Sequence, residues 1–174
     1  MSNIFDDLLK GIDGIEFQKT DDPKIARLKD LFSGKIPGMM LETFSEHVPA
    51  EDVEYGDFVF YGIERIIEEN TDYIPGANIF PFGLFTFAST FEGDAIVFDS
   101  NDPEFPVYQC SHSLLDDEEE ICFSKNGKIQ SLPFSCENVI KVSARLADSF
   151  DGFVKRLISG DVGTYTITEM LENI

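Results

Sequence analysis

The hydrophobic pattern of this 174-residue chain changes period twice, and that limits its fold more than any other feature. Near the start, Ile25, Leu28, Leu31 and Phe32 recur at helical spacing, and so do Met40, Leu41, Phe44 and Val48. From Phe58 the apolar residues follow the shorter spacing of strands, through Phe82, Leu84, Phe85 and Phe87 to Asp94–Asp99 and Val107–Cys110. Helical spacing returns at Phe150, Phe153, Val154, Leu157 and Ile158. Helices, then strands, then a helix read as one α+β domain over residues 1–174 with its core at about 23–161. The expected architecture is a mixed, mostly antiparallel sheet flanked by N-terminal helices and a C-terminal helix. Exposed Phe82, Phe85 or Phe87 would offer a homodimer patch, although core packing is the commoner fate of such residues.

Punctuation residues sharpen this outline. Asp21 or Asp22 before Pro23 opens a helix that runs to Gly34, and Pro37 and Pro49 bracket a second. Ile63–Asn70 reads as a short helix after the Phe58–Tyr61 strand, and the chain from Ile79 onward reads as sheet. Asn126-Gly127 supplies the two positive φ angles of a type I′ hairpin turn. Ile140–Ser143 reads as an edge strand or linker, Ser149 and Gly160 bound the last long helix, and the tail reads as a small strand plus a helical turn.

Charge sets the function classes. Thirteen Lys and Arg stand against 33 Asp and Glu, a net charge of −20. Phosphate binding and docking on anionic membranes both depend on Lys and Arg, so nucleic acid and membrane partners are not expected. The imbalance is concentrated: no base occurs between Arg65 and Lys125, while those 59 residues carry 13 of the acids. The remaining 33 − 13 = 20 acids face 13 bases. Such a stretch suits a solvated face or a basic protein partner.

Motif chemistry is sparse. His47 and His112 are the two histidines, and no G-x-S-x-G, H-E-x-x-H, Walker loop or C-x-x-C occurs. Cys110, His112 and Cys122 are too irregularly spaced for a zinc site, and Asp99-Ser-Asn-Asp102 lacks the Gly and Glu a calcium loop needs. Neither an enzyme nor a cofactor is expected. Three dispersed cysteines suit a reducing cytoplasm, the N-terminus carries no signal-peptide pattern, and no apolar run reaches membrane-spanning length.

Several segments, in order, resemble the SMI1/KNR4 (SUKH) superfamily from about Pro23 to Asp161. They are KIARLKDLFSG followed by Ile-Pro; the strand and helix unit GDFVFYGIERIIEEN; YIPGANIFPFGLF with FEGDAIVFD; the run from Pro106 to His112; and SFDGFVKRLISGD. The LDDEEE run and the tail are this chain's own. The resemblance implies an α+β fold without catalysis. It further implies an immunity protein that neutralises a nuclease-type toxin, or a regulatory scaffold module without a toxin partner. A metal- or small-molecule-binding domain is a further alternative. A toxin acting on nucleic acid presents a basic cleft, which an acidic inhibitor would cover. The expected contact set is Glu92, Asp94, Asp99, Asp102, Glu104, Asp116, Asp117, Glu118, Glu119 and Glu120. For Asp94 and Asp99 the competing reading is that they cap the end of the sheet.

Overall fold

The structure, a computed structural model, describes residues 4–117, 119–172 and 174. Three helices come first: α1 (Ile4–Lys10), α2 (Pro23–Phe32) and α3 (Gly38–Glu46). Asp22 caps α2 by accepting from the Lys24 N–H, with Pro23 where a missing donor costs nothing. A two-residue turn then joins β1 (Val53–Tyr55) to β2 (Phe58–Phe60), and α4 (Ile63–Thr71) follows.

Between Gly76 and Phe82 the chain makes a helical turn, α5 (Gly76–Ile79), and a 3₁₀ turn, although the sequence reads as sheet from Ile79 onward. Pro81 cannot donate to a ladder, and Gly83 at φ 84° ends the turn, so β3 (Leu84–Thr90) begins only afterwards. β4 (Ala95–Asp99), β5 (Val107–Cys110) and the hairpin β6 (Glu120–Lys125) and β7 (Lys128–Pro133) complete the middle of the chain. Asn126 at φ 55° and Gly127 at φ 70° make the expected turn.

Residues 136–141 form α6 (Cys136–Lys141), capped by Ser135, so the Ile140–Ser143 segment, expected as an edge strand or linker, is the end of a helix and the connection after it. The strand lies just beyond, as β8 (Ala144–Ala147). α7 (Phe150–Ser159) runs from the Ser149 cap to Gly160 at φ 73°. The tail holds α8 (Ile167–Met170), opened by a Thr166–Glu169 capping box, and no strand among the described residues.

The sheet is antiparallel throughout, in the order β1-β2-β3-β4-β5-β8. Side chains alternate across it and feed two cores. Ile96 and Phe98 of β4 join a phenylalanine-rich cluster that includes residues of α1, α2, α3, α4 and α7. Ala95 and Val97 face a second cluster with Leu115, Ile121, Phe123 and Val139. β4 is therefore buried on both faces, so it reads as a continuous apolar run. Phe85 and Phe87 are buried in the first cluster, and core packing is their role. Phe82 is partly buried against the second. Ile158, expected on the inner face of α7, is 52% exposed.

Candidate functional site

β4 separates the expected contact acids into groups. Glu92, in the β3–β4 turn, is exposed, and Asp94 lies beside it at the start of β4. Asp99, Asp102 and Glu104 lie at the opposite end, about 17 Å away for five residues of strand.

Asp94 is only 5% exposed. It accepts from the Gln109 side-chain amide at 2.8 Å and the His112 backbone N–H at 3.1 Å, and its other contact is His112 Nδ1 at 3.0 Å. Gln109 also joins the backbone of Tyr165, so this network ties the tail to the sheet end. Asp99 accepts from the backbone and side-chain N–H groups of Asn101, and Asp102 from the Glu104 N–H. These bonds shape the turn between β4 and β5. Asp116, Asp117, Glu119 and Glu120 are exposed on the way into β6, and Asp117 accepts from the Glu119 N–H at 2.7 Å. Glu118 lies outside the described residues.

A different group of acids shares a concave surface. Backbone bonds from Gln18 to Val48 and from Ala50 to Glu16 hold the segment after α1 against the segment before β1. Between residues 12–16 and 50–54 they leave a cleft of about 530 Å³. Asp13, Glu16, Glu51, Asp52 and Glu54 line it, all exposed, and no Lys or Arg does. A smaller cleft of about 280 Å³ shares Ala50, Glu51 and Asp52 and adds Gly62, Glu64, Arg65 and Glu68. Arg65, its only base, is committed to Glu69 at 2.6 Å. Asp52 accepts from the Gly62 N–H at 2.8 Å and fixes the shared wall. A Cβ at residue 62 would lie 2.9 Å from the Glu51 backbone, so this approach requires glycine.

The five acids of the larger cleft lie outside the base-free stretch. Asp13 and Glu16 are far in sequence from Glu51–Glu54, and the counting of charge along the chain did not join them. The local signal was the run Glu51-Asp52-Val53-Glu54.

On the other side of Arg65, a third cleft of about 330 Å³ includes Tyr61, Glu69, Tyr73 and His112. The Arg65 guanidinium lies 5.5 Å from the Tyr61 ring centre and 4.9 Å from that of Tyr73. Burial is the largest influence on Glu69, and it raises the carboxyl against the lowering effect of Arg65. Burial and, next, the Glu69 charge push the Tyr61 phenol up to about 12. Burial pushes the Cys110 thiol up to about 12 as well. A raised value means the folded state keeps a proton that the unfolded chain has lost. Stability is therefore expected to fall from about pH 9 to 12, and Tyr61→Phe and Cys110→Ala should each flatten part of that decline. Denaturant midpoints across this range would check it. A flat profile in the unaltered chain would contradict the buried placements.

Among the described residues, no group of three or more His, Cys, Asp or Glu side chains is placed to hold a metal ion. Cys110 is buried and Cys122 exposed. No described helix is long and apolar enough to cross a membrane. Compared with known proteins, the chain matches no family model, no curated protein and no solved structure.

Proposed function

We propose that this chain is a non-catalytic binding module that receives a basic protein on an acidic surface, as an immunity protein covers a nuclease-type toxin. The observation supporting this reading is the cleft beside β1, with five carboxylates and no cation along its walls. Lysine or arginine side chains entering it would meet charges that no residue of its own lining offsets, which favours both fast encounter and a fixed register. The exposed acids Glu92, Glu104, Asp116, Asp117, Glu119 and Glu120 extend the attractive field around the domain. Asp94, turned inward, holds the tail and the β5 end in place.

The resemblance to SMI1/KNR4 proteins supplies the partner class, and the charge supplies the physical reason. When the chain is co-expressed with a basic toxin encoded beside it, the two should co-purify at low salt and separate as ionic strength rises. The toxin should lose its activity in the complex. A toxin that stays active and unbound at low salt would refute the proposal.

A further inference from the structure

The β6–β7 hairpin forms its own two-stranded sheet. Ile121 and Phe123 of β6 pack into the second core, with Leu132 of β7 partly buried against it. The rest of β7 is exposed, and Ile129 is 86% exposed.

The register shows which backbone groups are open. The two-residue turn makes Lys125 and Lys128 the closing hydrogen-bonded pair. Alternation then makes Ile129–Ser124 and Ser131–Cys122 non-hydrogen-bonded pairs, so the N–H and C=O groups of Ile129 and Ser131 point away from β6. Pro133 falls in the same class, where a missing N–H costs no ladder bond. Its carbonyl accepts from the Asn138 amide at 2.9 Å. The groups of Ile129 and Ser131 have no such partner among the described residues.

We infer that this edge pairs with the same edge of a second copy of the chain, antiparallel about a twofold axis at Gln130. Charge selects that occupant. In a chain of net charge −20, β7 is an exposed edge with one lysine and no acid. Two copies meeting here bring no carboxylates of β7 face to face, and a basic partner gains no attraction from this strand. Backbone chemistry selects the register. An axis at Gln130 sets Ile129 opposite Ser131 of the other copy on both sides, which closes four N–H···O bonds. An axis at Ser131 would set Ile129 opposite Pro133 and lose a donor on each side. An axis at Ile129 would set Ser131 opposite the turn residue Gly127. The pairing builds a four-stranded sheet and covers Ile129.

The test uses the full chain with Cys122→Ser and Cys136→Ser as background. Across the axis, the two Gln130 Cα atoms would stand about 4.5 Å apart as a non-hydrogen-bonded pair, within disulfide reach. Gln130→Cys should therefore give a covalent dimer on mild oxidation at least about tenfold faster than Lys128→Cys, whose two copies would stand about 14 Å apart. The chain without added cysteine should double its mass in solution as concentration rises. Ser131→Pro should keep the hairpin, since that N–H is not used within it, and remain monomeric. A monomer at every concentration, equal cross-linking of the two cysteine variants, or a dimer that survives Ser131→Pro would each overturn the inference.

Discussion

Phe44→Ala is expected to lower stability by about 3–5 kcal/mol, the range for emptying a fully buried aromatic site. Phe44 is 1% exposed and stands at the centre of the phenylalanine cluster. Ring centres of Phe5, Phe85, Phe87, Phe98 and Phe150 lie 5.7, 5.5, 5.8, 6.0 and 6.0 Å from its own. Those neighbours come from α1, β3, β4 and α7, so none can close the cavity without leaving another contact. With total stabilities of about 5–15 kcal/mol usual for a domain, the variant would lose a large fraction of its margin. Urea unfolding should show a much lower midpoint at an unchanged slope. A loss below about 1 kcal/mol would mean that Phe44 is not packed at this centre.

Asn70→Ala should cost about 3 kcal/mol through a different cause, the loss of partners for buried backbone. Thr86 stays opposite Val97 in the β3–β4 ladder, but on its other side β2 ends at Phe60, opposite Ala88, so no strand residue faces the Thr86 backbone there. Asn70, 3% exposed on α4, meets it: its amide nitrogen donates to the Thr86 carbonyl at 2.7 Å, and its oxygen accepts from the Thr86 N–H at 2.9 Å. Alanine would strand both groups inside the protein. Asn70→Asp would keep the acceptor, lose the donor and bury a charge, so it should be no better. Thermal unfolding of the two variants decides this, and a near-native midpoint for either would contradict it.

Much of the fold was legible where its cause is local. Asp22-Pro23, Ser149 with Gly160, and Asn126-Gly127 act through their own backbone angles and caps, and each appears where its chemistry requires. The misreadings lie where tertiary packing decided the outcome. Ile140–Ser143 read as an edge strand or linker, yet a helix capped by Ser135 runs through Lys141, and its Val139 enters the second core. β8 is a four-residue strand at the sheet edge, too short to show an alternating pattern of its own. The strand expected from Ile79 was displaced by Pro81 and Gly83.

The site was legible only as an excess of charge. Counting acids along the chain found Glu92 to Glu120, which the fold divides between the two ends of β4 and the approach to β6. The acidic cleft depends on the pairing of residues 16–18 with 48–50, which no local pattern announces.

The most direct measurement compares two charge-neutralised variants for affinity to the basic partner at low salt. One carries Glu16→Gln, Glu51→Gln and Glu54→Gln in the cleft, leaving Asp52 to hold the Gly62 N–H. The other carries Asp116→Asn, Glu119→Gln and Glu120→Gln, an equal change in charge on the approach to β6. If the cleft receives the partner, the first should weaken binding at least about tenfold more than the second and reduce its salt dependence more. Equal losses, or a larger loss from the second variant, would contradict binding at the cleft.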